Sequence, residues 1–367
     1  MHTIPVETLR TWLEEGRPVT IVDVRPMRER VEWAIPGSLH IDAYEALKAH
    51  DPTALSALAL PEDTPVVTVC AAGNTSRIAA EQLATRGIEA LSLEGGMKAW
   101  SLAWNTAEVP VPGSSVQVIQ VRRTGKGCLS YLIGAGEEAT VIDASLDPQI
   151  YLDLAVQHGW QITSVLDTHI HADHLSRSRQ LAGRSGAMLI LPDQQRVTFP
   201  FIAIRDGETL ATEVMQLTAL RTPGHTPEST CYLLNHRVLF TGDTLFPTGV
   251  GRPDLDASPQ EAERRAESLY HSLHKLLSLP SETIVLPGHT STSVPFDGIP
   301  IMTTLAEIDE QVGILHATRA DFVRGLLSRL PATPPNYTQI VTLNERGLLP
   351  EQPVTELEAG ANRCAVS

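Results

Sequence analysis

The chain is 367 residues long, room for two domains at roughly 150 residues each, and with 42% hydrophobic and 19% charged residues it has the balance of an ordinary globular protein. Lys and Arg total 28 against 43 for Asp and Glu, and the net charge of -15 repels nucleic acid and anionic membrane surfaces. No apolar run approaches the ~18 residues of a bilayer span, and residues 1–5 lack a basic stretch leading into an apolar one, so a cytoplasmic protein is expected.

Residues 1–105 alternate between strand and helix patterns. Helical spacing at Leu9, Trp12 and Leu13 comes first, then an apolar strand over 19–22 that ends in Asp23-Val24-Arg25. A second strand over 65–69 delivers Cys70 at its carboxyl end, helical spacing resumes over 77–86, and a third strand over 88–93 stops at Gly95-Gly96. This alternation predicts an α/β domain with a mainly parallel sheet, and such sheets place ligands beyond the strand carboxyl ends. Residues 106–114, rich in Pro and Gly, are predicted to be a linker. Short strands follow at 116–121, 128–133 and 140–142, helices at 147–157 and 174–184, and strands near 214–220, 229–234 and 237–240. A helix at 259–278, a strand at 283–286 and a helical stretch over 302–330 precede a tail that ends near Asn362-Arg363-Cys364.

Cysteines stand only at 70, 128, 231 and 364, too few for a disulfide framework in so long a chain, so one that matters should act as a thiol. The segment Cys70-Ala71-Ala72-Gly73-Asn74-Thr75-Ser76 joins a buried strand to a helix start, where backbone N–H groups and the positive helix end favour a thiolate. A phosphatase loop needs arginine at 76, where this chain has Ser76, so sulfur chemistry is favoured over phosphate chemistry. Cys128 and Cys231 sit in strand patterns and are expected in the core. Cys364 is left open, as a thiol that docks, relays sulfur or does nothing.

Asp23-Val24-Arg25, Ile35-Pro36-Gly37, the loop 70–76, and Glu94-Gly95-Gly96 followed by Trp100 resemble a single rhodanese (sulfurtransferase) domain over 1–105. The resemblance implies that Cys70 carries a sulfane sulfur as a persulfide and that residues Ala71, Ala72, Gly73, Asn74, Thr75 and Ser76 cradle the substrate. Ala71 and Thr75 stand where arginine is common in that family.

Five of the thirteen histidines fall in three short motifs. His169-Ile170-His171-Ala172-Asp173-His174 places alternate side chains on one side of an extended segment, with Asp173 and His174 turning back toward them, a spacing that suits a metal. Gly224-His225-Thr226, Gly242-Asp243-Thr244 and Gly288-His289 each set a ligand-type residue in a Gly-bearing turn. These motifs resemble the metallo-β-lactamase fold, an αββα sandwich, over 115–300, with 301–367 as a helical C-terminal extension packed on it.

Within that superfamily, Gly224-His225-Thr226-Pro227-Glu228-Ser229, Gly242-Asp243-Thr244-Leu245-Phe246 and Gly249-Val250-Gly251-Arg252-Pro253-Asp254-Leu255 resemble the persulfide dioxygenases found fused to rhodanese domains. That likeness implies one Fe(II) per chain on His169, His225 and Asp243. His171, Asp173, His174 and His289 are then supporting or second-metal residues, and Arg252 becomes a candidate contact for the carboxylate of a thiol persulfide, the alternative being a structural salt bridge with Asp254 or a nearby acid. The implied partners are a low-molecular-weight thiol persulfide of the glutathione type, O₂, and sulfite or thiosulfate, with no nucleic acid and no membrane; a homo-oligomer stays open. Glyoxalase II thioesterases carry the same seven ligand-type residues on two zinc ions, so a binuclear zinc thioester hydrolase with an accessory rhodanese domain is the alternative, and a sulfur-sensing binding protein is a third.

Overall fold

The computed structural model describes residues 3–366 apart from 62, 359 and 361. In the N-terminal part, Thr20–Asp23 and Val66–Val69 are apolar on both faces because helices cover both sides of the sheet they form. Five strands lie in the order Thr3–Ile4, Ala90–Leu93, Val66–Val69, Thr20–Asp23, Leu39–His40, every neighbouring pair parallel. The helix after Cys70 spans Asn74–Thr85, three residues earlier than its apolar spacing begins, because its first turn is polar and faces the thiol loop.

Of the linker expected over 106–114, the first four residues belong to a strand and 110–114 are irregular. Asn105–Val109 is a strand, antiparallel to Gln117–Arg122, with Asn105, Ala107 and Val109 buried and Glu108 exposed. Its short alternation is masked in the sequence by the Pro residues that follow, and residues 110–116 carry no helix or strand. The indole N–H of Trp33 in the first domain reaches the carbonyl of Thr124 in the second at 3.1 Å.

The second domain stacks a seven-stranded sheet, running from Ile202–Ile204 to Asn105–Val109, against a six-stranded sheet, running from Thr209–Ala211 to Thr303–Thr304. Val118, Tyr131, Ile133, Leu166, Leu217, Tyr232, Phe240 and Leu286 fill the space between them. Pro148–Gln157 and Ser178–Ser185 cover the outer face of the first sheet, and Pro259–Leu277 and Arg319–Ser328 that of the second. The result is an αββα sandwich. Pro259–Leu277 starts under Ser258, whose hydroxyl accepts from Glu261 N–H, with Pro259 in the first turn where no N–H is needed.

The helical stretch expected over 302–330 is two helices, Leu305–Gln311 and Arg319–Ser328, parted by a 3₁₀ turn at Gly313–His316. Beyond them Tyr337–Arg346 and Thr355–Glu358 lead into a last strand, Ala365–Val366, that joins a small sheet with Gly249–Gly251 and Leu245–Phe246. No described helix is long and apolar enough to cross a membrane.

Candidate metal and thiol sites

The strands Gln161–Leu166, Gln216–Arg221, Val238–Gly242 and Ile284–Pro287 end on one side of the sandwich and release His169, His225, Asp243 and His289 into the same space. Two glycines let the turns close. Gly242 has φ +49°, and a Cβ there would lie 2.4 Å from Thr168 Oγ1; a Cβ on Gly288 would lie 2.9 Å from Asp243 Oδ1.

His169 Nε2 lies 3.8 Å and His225 Nε2 3.7 Å from Asp243 Oδ2, and all three residues are buried. The far nitrogens are held: His169 Nδ1 is 2.9 Å from the Thr168 hydroxyl, which donates to Asp143 Oδ2, and His225 Nδ1 is 2.8 Å from the carbonyl of Arg252. Each ring is thereby oriented from behind, as ligand histidines are. His169 Nε2 and Asp243 Oδ2 are buried with no hydrogen-bond partner among the described residues. Unpartnered buried groups of this kind are rare unless something else satisfies them, and a metal ion fits. Burial, with the neighbouring His171 charge, holds His169 well below the ordinary histidine range, and burial lowers His225. Asp243 is pushed up by burial but held far lower by the His289 charge. Neutral imidazoles and an ionised carboxylate are the protonation states that bind metal.

His171 does not join this triad. Its Nε2 lies 3.2 Å from Asp143 Oδ1, in a buried group with Asp143 and Asp167, while its Nδ1 has no partner among the described residues. Asp173, His174 and His289 form a second group, and Cys128 completes it. His289 spans two carboxylates, with Nδ1 2.5 Å from Asp243 Oδ1 and Nε2 2.9 Å from Asp173 Oδ2. His174 Nδ1 lies 3.0 Å from Asp173 Oδ1.

Cys128 is therefore not a plain core cysteine. An isolated antiparallel bridge sets it beside His289, and its Sγ lies 3.4 Å from Asp173 Oδ2 and 3.8 Å from His174 Nδ1. Burial and the Asp173 carboxylate push its thiol up, yet the charges on His174 and His289 outweigh them and bring it to about 6. Its strand pattern carried no hint of this, since the neighbour lies in another sheet. Cys231 is a core residue; burial raises its thiol to about 11. Cys364 is buried too, and its sulfur lies within 4.8 Å of ligand atoms of Asp243 and His289.

Arg252 is a correction. All five of its guanidinium donors are used, bidentately on Asp254 at 2.8 Å and 2.8 Å and on the carbonyls of Pro331, Ala332 and Arg363. It ties the tail to the metal domain, and no donor remains for a substrate carboxylate.

Cys70 sits where the parallel sheet of the first domain predicts a site. Its sulfur accepts one backbone hydrogen bond, from Gly73 at 3.1 Å, and lies 3.3 Å from the Ser76 hydroxyl, itself 2.8 Å from that of Ser92. One loop N–H reaches the sulfur rather than several. Gly73, Thr75 and Ser76 are buried around it, while Ala72 and Asn74 are exposed and Ala71 is half-buried. The loop rests on Gly96–Trp100: Met97 N–H donates to Cys70 O at 2.8 Å and Lys98 N–H to Ala71 O at 3.0 Å.

Residues 5–103 match the rhodanese-like domain model and residues 123–289 that of the metallo-beta-lactamase superfamily. The hydroxyacylglutathione hydrolase of Rhizobium meliloti (strain 1021) is 31% identical over 185 residues, 49% of this chain and 68% of that protein. The chain belongs to the metallo-beta-lactamase superfamily. The hydroxyacylglutathione hydrolase of Rhizobium johnstonii is 35% identical over 163 residues, 44% of this chain; the match spans only 57% of that enzyme's length. Among solved structures, a metallo-beta-lactamase from Staphylococcus aureus superposes with a TM-score of 0.59 at 29% identity, covering 67% of this chain and 75% of that one. ETHE1 from Myxococcus xanthus gives 0.54 at 30% identity, covering 62% and 96%. The chain is thus an α/β protein that joins a rhodanese-like domain to a metallo-beta-lactamase superfamily domain with a helical C-terminal part.

Proposed function

We propose that the chain oxidises a low-molecular-weight thiol persulfide with O₂ and one water to sulfite, releasing the thiol, and that Cys70 passes a sulfane sulfur between persulfide, sulfite and thiosulfate. The observation that carries this is the three-residue face of His169, His225 and Asp243, with His171 turned to Asp143. Two histidines and one carboxylate are the ligand set of mononuclear iron oxygenases. One Fe(II) held by these residues would offer adjacent open positions where O₂ and the sulfane sulfur could meet, the sulfur supplying the four electrons that reduce O₂. Thr168 and the Arg252 carbonyl keep the two imidazoles aimed, and His289 holds the free orientation of Asp243 fixed through Oδ1. In the other domain Gly73 N–H donates to the Cys70 sulfur and the Ser76 hydroxyl lies beside it, at the thiol that would attack a sulfane sulfur.

Fusion to a rhodanese-like domain supports the assignment, because a persulfide is what one site consumes and the other carries. A second reading, thioester hydrolysis at two zinc ions, is favoured by the unpartnered Nδ1 of His171 and by the hydrolase relatives. Oxygen uptake by Fe(II)-loaded protein given glutathione persulfide, with metal counted on the same sample, separates them. About one iron per chain with rapid uptake is expected. Two zinc ions with thioester turnover and no uptake would replace the first reading with the second.

A further inference from the structure

The turn 123–127 joins the strands Gln117–Arg122 and Leu129–Ala135 of the second domain, yet its partners lie in the first. Arg123 Nε donates to Ser101 O at 2.6 Å, Gly125 N–H to Ala103 O at 3.3 Å, and Trp33 Nε1 to Thr124 O at 3.1 Å, with Arg123, Thr124 and Lys126 all buried. Gly127 closes the turn at φ +96°, and a Cβ there would lie 3.0 Å from Trp33 Cη2 and collide with Thr290 O. The residue is thus held between the indole and the backbone of 290. Trp33 is itself buried, and its carbonyl accepts from Arg25 Nη2 at 2.7 Å, while Arg25 is fixed on Asp23.

The same turn runs straight into the metal site. Thr290 N–H donates to Gly127 O at 2.9 Å and Leu129 N–H to Gly288 O at 2.8 Å, the two bonds around the isolated bridge between Cys128 and His289. His289 Nδ1 lies 2.5 Å from Asp243 Oδ1, and Asp243 Oδ2 is the buried, unpartnered oxygen of the triad. An isolated bridge has no further rungs to keep its register, so whatever holds Gly127 from outside also fixes where His289 and Asp243 stand. In a close-packed interior such a displacement is passed on rather than absorbed.

We propose that Trp33 is a positioning residue of the metal centre, acting through Gly127, Thr290 and His289 on Asp243, so that the first domain completes that centre. The proposal rests on the triad as the metal position and holds for either reaction the metal could serve.

The full-length protein is loaded with Co(II), whose visible absorption bands report ligand geometry, and Co(II) affinity is measured by chelator competition. In Trp33→Ala, at a temperature where circular dichroism shows it folded, the bands of the Co(II)-saturated protein should shift. Affinity should fall about tenfold, the lower end for losing a group that orients a ligand. Gly127→Ala presses on the same contact from the other side and should shift the bands as well. Because both act through one contact, the double variant should lose no more affinity than the worse single one. Leu83→Ala, in the hydrophobic cluster of the first domain that does not include Trp100 and Ala103, should lower stability and leave the bands in place. Unchanged bands with affinity within about twofold of the parent in Trp33→Ala overturn the proposal. An equal band shift in Leu83→Ala overturns it too, by reducing Trp33 to general stability, and additive losses in the double variant break the shared path. Parent protein that binds no Co(II), or Asp243→Ala that binds it as tightly, overturns the triad reading itself.

Discussion

Glu358→Gln tests how the tail is held. The side chains of Arg123 and Glu358 are both 0% exposed and 2.8 Å apart, poorly aligned for a linear hydrogen bond and so an ion pair, with Arg177 Nη2 at 3.5 Å on the other oxygen. Gln keeps the shape and the acceptor for Leu175 N–H but leaves Arg123 buried and charged without its carboxylate. Breaking one partner of a buried pair costs about 3–5 kcal/mol. At about 2–4 °C per kcal/mol for a domain of this size, the melting temperature should fall by about 6–20 °C. Circular dichroism melts with a parallel urea titration measure it. The acid limb gives a second check. Burial pushes Glu358 up, but Arg123 and then Arg177 pull it lower still, with His174 adding to them, so its folded pKa lies below the ordinary 4.5. Its stabilisation is therefore complete above 4.5 and lost as pH falls through the folded value, a slope the Gln variant should lack. A drop of under about 2 °C, or an unchanged acid limb, would refute the claim that this pair anchors the tail.

Asp243→Ala should lose bound metal and oxygen uptake together, since it removes the one anion of the triad; metal retained at full occupancy by elemental analysis would exclude it as a ligand. Thr168→Val should weaken metal binding about 10–100-fold in a chelator competition, the usual effect of losing a group that orients a ligand histidine. Cys70→Ser should abolish thiosulfate:cyanide sulfur transfer while sparing oxygen uptake with glutathione persulfide, and loss of both would contradict separate sites. Arg252→Met should lower the unfolding midpoint with no rise in KM for the persulfide; a higher KM at unchanged stability would return Arg252 to the substrate.

Much of the molecule was legible in the residues. The apolar strand before Cys70 and the Gly-bearing turns before His225, Asp243 and His289 lie within single strand-to-loop units, where local pattern decides position. The helix boundaries slipped where a polar first turn, as at Asn74–Thr85, hides from apolar spacing, and the strand Asn105–Val109 was lost beneath neighbouring prolines. Spacing alone also brought the whole 169–174 motif to one strand end but left open which side chains share an ion.

The sequence by itself determined the two domain types, the Cys70 loop and the pool of ligand-type residues, because each is written in contiguous stretches whose motifs and Gly, Pro and apolar positions are local. Tertiary structure alone decided the selection from that pool. Asp143, lying 28 residues before His171, turns that ring from the triad. The bridge between Cys128 and His289 sets a strand cysteine among the ligand-type residues, and pairing of Ala365–Val366 with Gly249–Gly251 carries Cys364 there from the far end of the chain. Arg252 was claimed by carbonyls from two distant segments. Such contacts join residues far apart in sequence, and no local period or spacing records them.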